Sequence, residues 1–296
     1  MMVLGIRRVD VATCCVLLAV ANSHAQQRLN WSADDRKRVG SLVKGGSRIE
    51  GTHVILYFPP SLPRVDAEVL VKRLDPAVEG LWRQVGVHDW QAVPKGKITY
   101  YLHDDAFVAH ASGRSAVFVP MARVKDGRAP FLHEATHELL ASKRSRMSAA
   151  VGSATPGRYP LWLTEGLADY VARVVANQLG IIEEGPFGPR TLSGADTLCA
   201  ERARTPDGAK MLPFVGADVV PDVLFTTDRA RFAPTFYSCS LSFTKHLADQ
   251  IGPDALINLF ALPPTDLVTH LDGVAGHSLP VIVTEWRTRL GLHEVK

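Results

Sequence analysis

The sequence predicts an α+β protein in which a small mixed sheet with a helix precedes a mostly helical part. The segments that favour strands are short and rich in β-branched and aromatic residues, and all lie before residue 129. Apolar residues at helical spacing dominate after it. We expect residues 26–128 to form the α/β part and residues 129–296 the helical part, together one compact unit. A chain of 296 residues is long enough to bury such a core.

Residues 1–25 are predicted to be a secretory signal peptide. Arg7 and Arg8 precede an apolar stretch at 11–21, and Ser23-His24-Ala25 places small residues at the two positions that signal peptidase reads. The stretch is too short for a stable bilayer span, although an uncleaved anchor is an alternative. A lipoprotein cleavage box ending at Cys14 fits less well. We therefore expect an exported protein, periplasmic or extracellular, without a stable membrane span after cleavage.

The first part contains three segments with strand character, which are 52–58, 97–102 and 116–121. Residues 66–85 have apolar residues at helical spacing, with Pro76 predicted to kink or split the helix. Pro120 favours an edge position for the third strand, because an edge tolerates a missing amide donor. The preceding residues 26–51 are either a short pro-segment or an N-terminal arm.

The second part is predicted to contain four helices, at 131–141, 161–179, 240–251 and 280–290. Residues 183–221 carry many Gly, Pro and Asp and are predicted to be mainly loop. Cys199 and Cys239 are the two cysteines left after signal cleavage. We expect them to form a disulfide in an oxidising compartment, with two buried thiols as the alternative.

The net charge and the distribution of charged residues do not indicate a strongly charged binding partner. The chain has 33 basic and 30 acidic side chains, a net charge of +3, and the two signs are interspersed. This balance points neither to nucleic acid nor to an acidic membrane surface. We expect no nucleic-acid partner.

An HExxH motif at 133–137 predicts a metal site on the helix that starts near Phe131. Residues four apart lie on one helix face, so His133 and His137 can hold one ion. Glu134 is displaced around the helix, where it can take a proton from a water molecule beside the ion. The alternative is a helix with two polar histidines and a solvent-facing glutamate.

A catalytic zinc ion needs a third protein ligand. A metzincin would have a glycine three residues after His137 and a histidine six residues after it, but Leu140 and Lys143 occupy these positions. The next helix offers a carboxylate instead, at Glu165.

The two segments together resemble the gluzincins, most closely the peptidase-MA-like group, in which an HExxH helix is followed by a P-x-W-L-x-E-G-x-A-x-Y segment. The matching residues of the second segment are Pro160, Trp162, Leu163, Glu165, Gly166, Ala168 and Tyr170. The resemblance covers about residues 131–252. It implies a thermolysin-like zinc peptidase core and one zinc ion held by His133, His137 and Glu165.

The same resemblance suggests two further residues. Asp169 lies one turn after Glu165, where related proteins place an aspartate that binds the outer nitrogen of a ligand histidine; a surface aspartate is the alternative. Tyr237 matches a tyrosine that related gluzincins place just before a helix. The hydroxyl of that tyrosine is directed at the developing oxyanion. The alternative is a tyrosine packed on the core with its hydroxyl at the surface.

An edge strand before the metal helix pairs with substrate in gluzincins, and we expect segment 116–121 to do so here. It lacks the G-x-M-E-N sequence of related aminopeptidases, which argues against an exopeptidase. His103 beside two aspartates suggests either a second metal site or, more simply, a polar loop. His110, His246, His270 and His277 show no ligand spacing.

The predicted function is hydrolysis of a peptide or protein substrate, with Glu134 as general base and Tyr237 assisting the oxyanion. One alternative is a catalytically silent binding protein that retains the fold, with or without the metal. Another is an exported helical domain in which the motif is coincidental. The same chemistry also serves hydrolysis of other amides or esters.

Overall fold

The α+β class is confirmed. The computed structural model describes residues 31–86, 96–112, 115–151, 159–181, 191–260 and 262–292, with side chains of the helix at 131–151 described up to Lys143. The predicted signal peptide, residues 1–25, lies outside this part. One apolar core connects the sheet with the helices that follow it.

Within the described residues, five strands form one mixed sheet in the order β1-β2-β3-β5-β4. Their bounds are β1 Ser47–Glu50, β2 Val54–Phe58, β3 Ile98–His103, β4 His110–Ala111 and β5 Ala116–Pro120. Strands β2, β3 and β5 run parallel, whereas β1 and β4 pair antiparallel at the two edges. The three predicted strands are confirmed. The two antiparallel edge strands were not predicted.

The predicted edge position of segment 116–121 is wrong. Strand β4 covers β5, with His110 opposite Phe118 and Ala111 opposite Val117. Pro120 is tolerated because it is the last residue of β5 and the residue before the next helix. The edge strand beside the metal helix is therefore β4.

Two helices cover the sheet. Helix α1 (Ala33–Gly45) begins at Ser32, whose hydroxyl accepts a hydrogen bond from the Asp35 amide. Leu42 of α1 packs against aromatic residues of β3 and β5. Helix α2 (Arg64–Val85) belongs to the main core and continues through Pro76, so the proline does not split it. The arm or pro-segment expected at 26–51 thus contains α1 and β1.

The second part is helical. Its helices are α3 Met121–Lys125, α4 Phe131–Val151, α5 Leu161–Gln178, α6 Ala195–Ala203, α7 Pro206–Ala209, α8 Arg229–Ile251, α9 Pro253–Leu259, α10 Leu267–Ala275 and α11 Leu279–Arg289. Segment 183–221 is predicted to be mainly loop, but its described residues, 191–221, contain α6 and α7, so the prediction is wrong for that part. Among the described residues, no helix has both the length and the apolar character needed to cross a membrane.

The predicted disulfide between Cys199 and Cys239 is present and fully buried. It joins α6 to α8, so Cys199 lies on a helix and not in the predicted loop. Helix α8 also begins eleven residues earlier than the predicted start at Ser240. The bond fixes the first half of this longer helix to its neighbour.

Helices α5 and α8 approach each other closely at Gly166, the residue after Glu165. A Cβ atom at this position would lie 2.2 Å from Thr244 Oγ1 and 2.5 Å from the Ser240 carbonyl oxygen. The carbonyl belongs to the backbone of α8 and cannot rotate away. Only glycine allows this helix separation.

We expect Gly166→Ala to lower the free energy of unfolding by about 1–3 kcal/mol, because the added methyl group forces the two helices apart. Urea unfolding followed by circular dichroism measures this loss. The matched control is Gly273→Ala in α10, where a Cβ atom meets nothing within 4 Å. An equal effect of the two substitutions would contradict the close approach.

Candidate metal centre

Helix α4 places both histidines of the motif on one face. The helix begins directly after Pro130, whose carbonyl accepts the Glu134 amide. Leu132 and Ala135 are buried and anchor the opposite face in the core. The two imidazole rings meet edge to face, with their centroids 4.7 Å apart and their Nε2 atoms 3.0 Å apart.

Helix α5 supplies the third group. It begins after Pro160, and the buried side chains of Trp162 and Leu163 fix its first turn in the core. Glu165 Oε2 then lies 3.3 Å from His133 Nε2 and 3.5 Å from His137 Nε2. Burial by itself would raise the pKa of Glu165, but the two histidines hold it well below its usual range.

These three ligand atoms fit a metal ion. Ligand atoms about 2.0–2.1 Å from a tetrahedral zinc ion lie about 3.3–3.4 Å from one another, close to the three separations observed. Within the described part of the chain, His133, His137 and Glu165 are the one group of this kind that could hold an ion. The predicted ligands therefore converge.

Asp169 contacts His133 on the side away from the other two ligand residues. Its Oδ1 atom lies 3.1 Å from His133 Nδ1, and the residue is 7% exposed, so the surface alternative is wrong. Burial would raise its pKa, but the Arg173 guanidinium and His133 lower it. A hydrogen bond from Nδ1–H to this carboxylate leaves the Nε2 lone pair directed at the ligand cluster.

Glu134 is buried at 8% exposure, so the alternative of a solvent-facing glutamate is also wrong. It lines the same cavity as the three ligand residues. Burial raises the pKa of Glu134, while the two histidines act in the opposite direction. The position therefore favours a carboxyl group that can accept and release a proton.

A cavity of about 770 Å³ opens beside the cluster. One wall is the segment 107–111 with edge strand β4, and another consists of residues from α4 and α5. Phe225 and Thr227 before α8, and Arg229, Ala230 and Tyr237 within it, complete the lining. The sheet edge, the ligands and α8 thus border one space.

Tyr237 lines this cavity from inside α8, nine residues along the helix and not just before its start as predicted. The Arg229 guanidinium donates a hydrogen bond to its hydroxyl, at 3.3 Å. Burial and the charge of Glu165 raise the pKa of Tyr237, so the phenol keeps its proton as a donor. Tyr237 is partly buried and also packs against the core.

Sequence reasoning missed His110, which lies on the edge strand and lines the cavity. Its Nε2 is 3.2 Å from Asp35 Oδ2 and its Nδ1 is 2.9 Å from the Val108 carbonyl. Its ring stacks on Phe118. A two-residue strand gives no periodicity, so no pattern could have found this residue. His103 instead accepts the amide of Asp105, which matches the predicted polar loop.

A buried carboxylate connects the edge of the sheet to α4. Glu138 is 1% exposed and accepts the backbone amide of Ser115, directly before β5. Ser115 has a positive φ of 57°, a conformation that is uncommon for a residue other than glycine. Because Glu138 follows His137, this bond fixes the metal helix relative to the strands.

Comparisons with known proteins add no family to these findings: no protein-family model matches the sequence, and no curated protein matches it significantly. The geometry of the site is therefore the basis for any functional conclusion. That geometry comprises three converging ligand atoms, a buried carboxylate beside them and an adjoining cavity.

We expect Asp169→Asn to weaken metal binding about 10- to 100-fold, because a neutral amide orients the His133 ring less firmly. Competition with a chelator, using Zn²⁺ as the probe ion, measures the dissociation constant. Asp249→Asn is the control, since Asp249 is an exposed carboxylate on α8 paired with Lys245. Unchanged affinity in Asp169→Asn would contradict the role of this hydrogen bond.

Proposed function

We propose that this protein is a zinc-dependent metallopeptidase with a gluzincin-like, thermolysin-like helical core. The observation that carries the proposal is the convergence of His133, His137 and Glu165 from two helices beside a cavity that also contains Glu134. The motifs of the two helices supply the resemblance, and the distances between their ligand atoms support it.

The donor set favours zinc. Two imidazole nitrogens and one carboxylate oxygen are a ligand set of catalytic zinc sites, which use three protein ligands, whereas structural sites use four. When bound, zinc polarises a carbonyl group and lowers the pKa of water. The buried Asp169 supports the same assignment, because a carboxylate behind a ligand histidine is a common partner in zinc sites.

Glu134 is the proposed general base. Its carboxylate takes a proton from the attacking water and passes it to the leaving amine as the peptide bond breaks. Its burial supports this role, because burial raises the pKa of Glu134 and a carboxylate with a raised pKa accepts a proton from water more readily than an exposed one does.

Tyr237 is the proposed donor to the oxyanion. Tyr237 lines the same cavity as the ligands, and the high pKa of its hydroxyl keeps the hydrogen on the oxygen. Arg229 orients this hydroxyl through its hydrogen bond. A donor held in place before the reaction stabilises charge that develops only in the transition state.

The substrate backbone is proposed to pair with β4, which replaces segment 116–121 in this role. His110 and Ala111 form the open edge of the sheet and line the cavity next to the ligands. An extended peptide can add to such an edge through main-chain hydrogen bonds. Export is part of the proposal, and the Cys199–Cys239 disulfide supports it, because such bonds persist in oxidising compartments.

The test combines metal content with hydrolysis. The wild-type protein should hold one zinc ion and cleave a denatured protein substrate, while Glu165→Ala should lose most of the zinc. Glu134→Gln should keep the zinc and lose hydrolysis by about 100-fold or more, because the base is removed and the ligands remain. Elemental analysis of the purified protein and peptide release measure the two outcomes.

Glu201→Ala is the matched control, since Glu201 is an exposed glutamate on α6. If the wild-type protein binds no zinc even after loading with the ion, the HExxH motif is coincidental. Stoichiometric zinc without hydrolysis of any substrate would favour a silent binding protein. Full activity in Glu134→Gln would reject the mechanism.

A further inference from the structure

A row of four stacked rings crosses the sheet and ends at the cavity. The strand pairing places one ring on each of β2, β3, β5 and β4, and these are Tyr57, Tyr101, Phe118 and His110. The ring centroids are 5.1 Å apart in each neighbouring pair. Such stacking favours one orientation of each ring. The last ring, that of His110, is therefore held in place beside the cavity that it lines.

Both ring nitrogens of His110 face an oxygen atom that accepts hydrogen bonds. Nδ1 is 2.9 Å from the carbonyl oxygen of Val108, and Nε2 is 3.2 Å from Asp35 Oδ2. A neutral imidazole carries one N–H group and one lone pair, so it would direct the lone pair at one of these oxygens. The doubly protonated ring donates to both. The two contacts therefore favour His110 as an imidazolium ion.

Asp35 supplies a buried negative charge for this ring. The residue lies in the first turn of α1 and is 5% exposed. Burial by itself would raise the pKa of Asp35, but hydrogen bonds from its neighbours, His110 among them, lower it. Its other oxygen, Oδ1, accepts a hydrogen bond from Arg38 Nη1 at 2.9 Å. An ionised carboxylate in this position stabilises a proton on His110 Nε2.

Helix α1 thus holds the cavity wall formed by segment 107–111 at two places. The Arg38 guanidinium lies over the ring of Phe107, 4.2 Å from its centroid. Asp35 binds His110 three residues further along the segment. Both of these wall residues line the cavity. The shape of the wall therefore depends on contacts with a helix that does not itself line the cavity.

The charged groups around His110 come from α1 and α4. On α4, burial raises the pKa of Glu134, whereas the charges of the ligand histidines and of His110 lower it. Glu138 of the same helix accepts the Ser115 amide. Asp105 lies on the far side of Arg38, with its Oδ2 atom 3.8 Å from Nε. Strand β5 presents the uncharged ring of Phe118.

We propose that His110 is a positioning residue that holds the cavity wall, segment 107–111, in its substrate-binding shape only while it is an imidazolium ion bonded to Asp35. When the ring loses its second proton, one nitrogen has a lone pair in place of a donor, and its hydrogen bond to Asp35 or to the Val108 carbonyl is lost. The stabilisation is therefore present while Asp35 is ionised and His110 is protonated, and it is lost as the pH rises through the titration of His110. The effect on substrate rests on the proposed function, whereas the charge of His110 does not.

The first experiment measures the charge of His110. In protein labelled with ¹³C at Cε1 of histidine, the carbon shift reports protonation, and His110→Gln identifies the signal. We expect His110 to be charged at about pH 7 in the wild type and largely neutral in Asp35→Asn, because an unpaired histidine is mostly neutral at that pH. Asp34→Asn is the matched control, since Asp34 is an exposed carboxylate in the same turn of α1. A neutral His110 in the wild type at this pH would overturn the inference.

The second experiment measures the wall itself. Hydrogen exchange followed by mass spectrometry gives the protection of segment 107–112, in which the Ser112 amide donates to the Ala116 carbonyl. After correction for the intrinsic pH dependence of exchange, protection in the wild type should fall about tenfold between about pH 6 and pH 8.5, as a charged hydrogen bond is lost. In His110→Gln it should be low and independent of pH. Equal protection of the two proteins at every pH would contradict the positioning role.

Peptide cleavage by the zinc-loaded protein distinguishes positioning from a contribution to stability alone. At about pH 7, Asp35→Asn should raise KM about tenfold and change kcat less than about twofold, because the wall binds substrate and the reacting groups are unchanged. An unchanged KM in an active Asp35→Asn protein would mean that the pair only stabilises the fold, and would overturn the inference. If no peptide is cleaved by the wild type, the proposed function fails, and the charge of His110 and the protection of the wall still decide the inference.

Discussion

The fold places three carboxylates, largely removed from water, around two histidines. The rest of the structure must supply partners for these charges. Glu134, Glu165 and Asp169 are mostly removed from water, which is costly for a charged group unless it is paired. The ring nitrogens of His133 and His137 and the guanidinium of Arg173 provide the pairing in the described structure, and the proposed cation would add to it. Two helices must meet at a fixed separation for these atoms to converge.

The ligand set could be predicted because helical spacing and a second motif determine it locally. His133 and His137 share a face wherever residues 133–137 are helical, and Glu165 follows a proline and buried anchors that start the next helix. His110 could not be predicted in the same way. It reaches the cavity only because β4 pairs with β5, a contact that depends on tertiary structure.

The fold likewise contains elements that the local sequence determines and elements that depend on tertiary contacts. Strands β2, β3 and β5 are aromatic and β-branched and were predicted, whereas β1 and β4 are short or polar and are strands only because a neighbour pairs with them. The predicted helix at 240–251 lacks the first part of α8, where Pro234 lies in the second turn, a position at which proline is usually unfavourable. Residues 195–203 form α6 although Gly, Pro and Asp around them favour a loop.

In the part of the chain that the structure describes, β1 and β4 are the two edges of the sheet, and their character affects how readily two molecules could pair. An unpaired strand edge invites pairing with the same edge of another molecule. Strand β1 carries the exposed charges of Arg48 and Glu50, which are unfavourable to bury between two copies. Strand β4 has only two residues, too few to template a stable intermolecular sheet. Among the described residues, the sheet thus ends in a two-residue strand beside the cavity and in a short charged strand on the other side.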